Sequence, residues 1–312
     1  MTSTSPTGTA ESRQHRPVQV TSLAVTGPYD LAEVATMGFG HRDEHRFDGV
    51  MRMAFCLDAD LETPVGVAAR QRGDRVELEV QPPGPEPLDD DTLAAVARQV
   101  ARVISLDHDG AAFDALCRQD PVLARLHAVA PGFRPALFYS PYEAALWSVV
   151  SARRPRSQAI TLRERLCALH GTTFEVAGQP SAAVPTPTQL RGVDAVPGLP
   201  ADRVPRLHAI ADAATQGLLA VDRLRALPPE EAAVELQRLP GIGPFYASLV
   251  VVRALGHADV LAAGETHART AVEQLYGREL SGPELEQLAE TWRPFRTWVM
   301  VTARALGDRL PT

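Results

Sequence analysis

Leu239-Pro240-Gly241-Ile242-Gly243-Pro244-Phe245 decides how the second half of this 312-residue chain is read. A helical run, Glu230 to Arg238, stops at Leu239, and Pro244 stands where a new helix opens, a position at which the missing N–H costs nothing. Two glycines within three residues permit a tight turn with positive φ. Around such a turn backbone N–H groups point outward at the amino end of a helix, and that arrangement binds a phosphate oxygen without any charged side chain. A bare Gly-x-Gly would more simply join two helices, with Ile242 plugging the core. The whole string favours phosphate. Leu before the Pro-Gly, Ile between the glycines and the almost wholly apolar run Phe245 to Leu255 form one helix-hairpin-helix signature.

Downstream of the hairpin, the helix ends at Gly256 and the loop His257 to Gly264 leads to Glu265-Thr266 at the head of the next helical run. A carboxylate at that place is favoured by the helix dipole and by free N–H groups, so capping alone explains Glu265. Upstream, the strip Arg153 to Arg165 carries five arginines (Arg153, Arg154, Arg156, Arg163, Arg165) against Glu164, and serves equally well as a solvated face or as a phosphate contact.

From Leu88 onward the helical period dominates, with helices predicted at 91–104, 110–118, 120–128, 141–152, 157–169, 186–191, 202–216, 220–226, 229–238, 244–255, 266–276, 282–290 and 293–307. Connectors carry Pro and Gly, as from Gly171 to Pro187. Before Leu88 the pattern is that of strands. Val18 to Val25 and Gly49 to Leu57 are predicted strands, the latter alternating; Tyr29 to Thr36 gives one or two helical turns; Gly66 to Arg70 and Val76 to Val80 flank a hairpin at Gly73-Asp74. The expected organisation is a disordered tail over 1–16, an α+β domain over 17–118 and a helical domain over 119–312.

Composition narrows the chemistry. The formal charge of −7 speaks against bulk attraction to nucleic acid and for local arginine contacts. The chain contains no lysine, all 31 basic residues being arginine, so a lysine Schiff base is excluded. Cys56, Cys117 and Cys167 are too far apart in sequence for metal-ligand spacing, and the nine histidines show none. No apolar run approaches the roughly 18 residues of a membrane span, so a soluble cytoplasmic protein is expected, and the arginine usage suggests a GC-rich bacterial genome.

Leu239 to Ala247, followed by Val260-Leu261-Ala262-Ala263-Gly264-Glu265, resembles the helix-hairpin-helix/Gly-Pro-Asp superfamily of DNA base-excision glycosylases, and within it the 3-methyladenine DNA glycosylase II family. Tyr29-Asp30, Ser140-Pro141-Tyr142-Glu143-Ala144 and Trp292-Arg293-Pro294-Phe295-Arg296 support the match, which spans roughly residues 20–307. The resemblance implies an α+β chain: a small antiparallel-sheet N-terminal domain followed by an all-α helix-hairpin-helix glycosylase domain. It implies a monomer acting on double-stranded DNA with a damaged base. The base is flipped from the stack, its N-glycosidic bond breaks and water adds to C1′. Glu265 takes the catalytic position; Phe245, Leu249, Arg304 and Phe39 the base pocket; Gly241, Ile242, Gly243 and Thr266 the DNA backbone; Arg153 the wedge. No cofactor is required, and a Na+ or K+ ion on the Leu239 and Ile242 carbonyls is the metal that the resemblance implies.

The match departs from the family pattern at the site itself. Glu265 stands where the family has aspartate, and its extra methylene moves the carboxylate by about 1 to 1.5 Å, a displacement that can cost on the order of 100-fold in rate. Phe245 stands where strand-cutting members have lysine, which excludes a lysine-dependent lyase. Leu249 and Arg304 replace aromatics, and a guanidinium beside the flipped base disfavours a cationic purine. Ser151-Ala152-Arg153-Arg154-Pro155 replaces the usual wedge loop. Two readings follow: a monofunctional glycosylase with a pocket reshaped for a damaged purine, alkylated or adducted, or a catalytically impaired paralogue that still binds damaged DNA. Tyr139, Tyr142, Trp147, Trp292 and Trp298 are expected in the core, and His267 on the surface. Phe245, taken by itself, is also more often core than stacking platform.

Overall fold

The computed structural model describes residues 16–37, 47–261 and 265–310. Strands β1 (Gln19–Ala24), β2 (Met51–Cys56), β3 (Pro64–Arg72) and β4 (Arg75–Gln81) form an antiparallel sheet in the order β1-β4-β3-β2. The β3–β4 turn is the expected one: Arg72 pairs with Arg75 across Gly73-Asp74, and Gly73 takes φ +61° at the first turn position, where a twisted hairpin needs it. Helix α1 (Leu31–Thr36) is capped by Asp30, whose carboxylate accepts the Ala32 amide. Helix α2 (Asp90–Val103), capped by Asp89, packs Val96, Val100 and Val103 against Met53, Phe55, Val65 and Val67 on one sheet face.

The alternation expected along β2 is absent, because almost every residue of β2 and of the first six positions of β3 is buried. The cause lies in a segment read from sequence as a connector. Between α6 and α7, defined below, Thr173–Val176 and Gln179–Ala182 form a second hairpin, β5 and β6. Its Phe174 and Val176 cover the sheet's other face over Ala54 and Ala68. Gly66 makes room for that contact: a Cβ there would lie 2.7 Å from the Phe174 side chain. Of the expected tail only Arg16 is described; its guanidinium donates to Thr173 O at 3.0 Å and stands over the Phe174 ring.

The remaining chain is helical and builds two further cores. Helices α3 (Gly110–Gln119) and α4 (Pro121–Val129) pack with the last three helices of the chain, and Phe113 and Cys117 join Trp292 and Trp298 there. The division at residue 118 therefore falls at the end of a helix whose core partners lie mostly beyond it. Helices α5 (Pro141–Ser151), α6 (Arg156–His170), α7 (Pro187–Arg191), α8 (Val204–Thr215), α9 (Val221–Arg225), α10 (Pro229–Gln237) and α11 (Pro244–Arg253) surround the largest core. Helices α12 (Thr266–Tyr276), α13 (Gly282–Glu290) and α14 (Arg296–Leu306) complete the chain. Tyr139, Tyr142, Trp147, Trp292 and Trp298 are buried, as expected. The three cysteines are buried and free. No described helix is long and apolar enough to cross a membrane.

Candidate active site

The hairpin joins α10 to α11. Gly241 has φ +95°, a conformation that costs a residue with a Cβ of the order of 1–2 kcal/mol. Gly243 does not share it. At φ −87° and ψ 179° it is extended and stands at the N-cap of α11. The Ile242 amide closes the turn on Leu239 O at 3.1 Å, and the Ile242 side chain is buried. The Ile242 side chain thus anchors the turn from within, and its N–H is already taken by Leu239 O. The amides of Gly241 and Gly243 find no acceptor among the described residues, and a Cβ on Gly243 would meet open space. These two donors, at the start of α11, are open to an outside acceptor, and a helix amino end favours an anionic one. Arg206 on α8, which sequence reasoning passed over, lies beside it: a Cβ on Gly241 would sit 3.1 Å from the Arg206 Cδ and 3.5 Å from its Nη1.

Immediately beyond the hairpin a cavity of about 270 Å³ opens between α11, α12 and α14. Pro244, the first residue of α11, lines it. So do Phe245, Leu249, Glu265 and Arg304, four residues that lie up to sixty positions apart in sequence. The helical period explains the assembly. On α11 the positions Phe245, Leu249 and Arg253 recur every four residues, with Ser248 and Val252 between, and on α14 Thr297, Met300, Val301 and Arg304 recur at three and four. Val260 and Ala268 close the remaining wall. The lining is predominantly apolar, and its volume lies near the lower end of the range of about 300–1,000 Å³ usual for small-ligand sites. Phe245 is 58% exposed and meets Tyr246 edge-on at 5.2 Å between ring centroids. It thus presents an exposed aromatic face at the cavity and is not packed into the core. Phe39 lies outside the described residues.

The Glu265 carboxylate is held at both oxygens. It caps α12, its Oε2 accepting the Ala268 amide at 2.6 Å, and its Oε1 accepts Nη1 of Arg304 at 2.8 Å. The approach to it is fastened to α14: Thr297 Oγ1 donates to Val260 O and accepts the Val260 amide, while Arg293 and Arg296 hold Asp259. The Glu265 side chain retains 19% exposure and that of Arg304 53%. A pair so open to solvent is worth roughly 0–1 kcal/mol and exchanges readily for another partner. Thr266 and His267, in the first turn of α12, are exposed.

The arginine strip divides into two parts. Arg163 pairs with Glu143, its Nε donating to Oε1 at 2.9 Å, and Glu143 is 2% exposed, so this arginine stitches α6 to α5 inside the core. Arg165 donates to Pro197 O. Arg153 is exposed and adopts φ +57°, a left-handed conformation uncommon outside glycine. Its loop is tied to the hairpin helix, since Ser151 Oγ and Tyr246 Oη hydrogen-bond at 2.9 Å. Strain of this sort costs about 1–3 kcal/mol and concentrates at functional sites.

No family model matches the chain. In sequence it is 29% identical over 217 residues, 68% of its length, to the "Probable bifunctional transcriptional activator/DNA repair enzyme AlkA" of Mycobacterium tuberculosis. The chain spans 42% of that relative. In structure it is similar to a 3-methyladenine DNA glycosylase from Archaeoglobus fulgidus, with TM-score 0.73 at 22% identity, covering 92% of this chain and 98% of that one. It is also similar to the 8-oxoguanine glycosylase/lyase of Clostridium acetobutylicum in complex with double-stranded DNA, with TM-score 0.62 at 15% identity, covering 93% and 98%. The resemblance read from residues 239–265 thus extends to sequence relatives and to the fold.

Proposed function

We propose that this chain, a sequence relative of a DNA repair enzyme with the fold of the 3-methyladenine and 8-oxoguanine DNA glycosylases, releases a damaged purine from duplex DNA by hydrolysis. The observation that carries the reading is the placement of the Glu265 carboxylate in the wall of an apolar, base-sized cavity that opens beside the free Gly241 and Gly243 amides. The hairpin amides, with Arg206 beside them, hold a DNA phosphate, and Thr266 offers its amide at the start of α12. Arg153 fills the gap left in the stack, where a guanidinium both stacks and meets phosphate. The flipped base enters between Phe245 and Leu249.

As the N-glycosidic bond breaks, its electron pair leaves with the base and positive charge grows on the sugar. A carboxylate already in place favours that state over the ground state. Water then supplies hydroxide to C1′; its proton goes to a base that departs as an anion, or to solvent where the base departs neutral. With phenylalanine at position 245 and no lysine in the chain, release proceeds without lysine-dependent strand cleavage. A Na+ or K+ ion on the Leu239 and Ile242 carbonyls belongs to the same proposal; Leu239 O already accepts the Ile242 amide and keeps a second lone pair for the ion.

A second reading rests on one observation, the Arg304 guanidinium covering Oε1 of Glu265. If that contact persists on DNA, the chain binds damaged duplex without cutting the glycosidic bond. Mass spectrometry of bases freed from alkylated genomic DNA separates the two. The enzyme reading expects release by the natural chain and none by Glu265→Gln. Binding without release, with release gained in Glu265→Asp, establishes the second reading.

A further inference from the structure

The charges lining the cavity have a consequence for the base it accepts. Its lining holds one carboxylate, Glu265, and two guanidiniums, Arg253 and Arg304. Arg253 is buried and donates to Ala136 O. Arg304 is half-exposed, and one of its nitrogens meets Glu265, although a guanidinium carries five N–H donors. The remaining lining is apolar side chains together with Ser248 and with Thr297, whose hydroxyl is already engaged on the Val260 backbone. From these groups we infer that Arg304 is a specificity-determining residue that makes the pocket take uncharged bases bearing a hydrogen-bond acceptor and refuse bases bearing a positive charge. This rests on the glycosylase reading above.

The physical case has two halves. A cationic purine, such as one alkylated on N7 or N3 while attached to the sugar, enters a cavity whose apolar lining weakens screening and whose mouth holds a like charge. The carboxylate that could offset this is already satisfied by Arg304 and by the Ala268 amide. Leu249 presents no π face to the cation where an aromatic would. An uncharged purine with a carbonyl oxygen or ring nitrogen at its edge instead gains a charge-assisted hydrogen bond from the guanidinium.

The second half concerns departure. A cationic base takes the electron pair of the broken bond and leaves neutral. An uncharged base takes the same pair and leaves as an anion, until a proton from the attacking water reaches it. A guanidinium at its acceptor edge stabilises that anion most as the bond breaks, which is where stabilisation accelerates the step. Arg304 thus gives Glu265 up in part to the developing sugar cation and turns to the base. The weakness of a solvent-exposed ion pair permits the exchange.

The experiment uses the full chain in single turnover on one duplex sequence carrying hypoxanthine, 1,N6-ethenoadenine or 7-methylguanine, comparing the natural protein with Arg304→Gln. Because the Arg304 side chain is half in solvent, the substitution leaves the fold intact, which a thermal melt checks. The expected result is faster release of the two uncharged bases than of 7-methylguanine. Arg304→Gln slows the uncharged pair about ten- to hundredfold, the loss of one hydrogen bond to a charged group, and speeds 7-methylguanine release by removing the like charge. Preference for 7-methylguanine in the natural protein, or an equal fall for all three lesions in the variant, overturns the role given to Arg304 and leaves the glycosylase reading standing. Release of no base from duplexes that are bound overturns both.

Discussion

The hairpin and the cavity sit side by side on one helix, yet they are built from different materials. The hairpin works through backbone: a glycine at positive φ, two amides without acceptors among the described residues, and a buried Ile242 that locks the turn from inside. The cavity works through side chains drawn from α11, α12 and α14, among them Glu265, Leu249 and Arg304. On the function proposed above, the difference makes grip and selection separable. A backbone grip is indifferent to sequence and lesion, whereas each cavity side chain can be exchanged without disturbing the grip.

The separation is tested first where the largest effect is expected. Glu265→Gln lowers base release by about 100- to 1,000-fold, the usual cost of removing one preorganised electrostatic group. Duplex affinity, measured by fluorescence anisotropy, should stay within about threefold. Gly241→Val acts on the other side. It forces a branched side chain into φ +95° against Arg206, lowering stability by about 1–2 kcal/mol and weakening damaged and undamaged duplex alike by about tenfold. Its release rate at saturating protein should hold.

Phe245→Ala is smaller again. The ring is mostly in solvent, so the melting temperature hardly moves, while preference for damaged over undamaged duplex falls by about fivefold or more through lost stacking. Least of all is expected from the thiols. Burial pushes Cys117 up to about 12 and Cys167 up to about 11, and Cys56 well above its ordinary value. At pH 8 each raised thiol is almost wholly protonated, and the reactive thiolate fraction grows only as pH climbs towards those values. Maleimide should leave the native protein unlabelled and both binding and release unaltered.

Much of this was legible in the chain because it is local. Helix α12 is read at 266–276 and found there, and the Gly73 hairpin follows from two residues. Phe245 and Leu249 share a face by spacing alone, and the same spacing leads on to Arg253, a step the sequence reading did not take. Other features depend on distant partners. The β5–β6 hairpin comprises four-residue strands with Pro180 in one of them, and its place is set by Phe174 docking at Gly66, more than a hundred residues earlier. Arg163 looks like any other member of its strip until the burial of Glu143 claims it. The Glu265–Arg304 contact spans 39 positions and no local pattern announces it. Arg206 enters only because α8 passes behind Gly241.

The most direct test of separable grip and selection places Glu265→Gln and Gly241→Val beside the natural protein on one lesion-bearing duplex, measuring affinity and single-turnover release for each. The account predicts a crossed result: Glu265→Gln binds normally and releases about 100- to 1,000-fold more slowly, and Gly241→Val releases when saturated and binds weakly. If each substitution lowers affinity and release together, hairpin and cavity act as one unit and the account is contradicted.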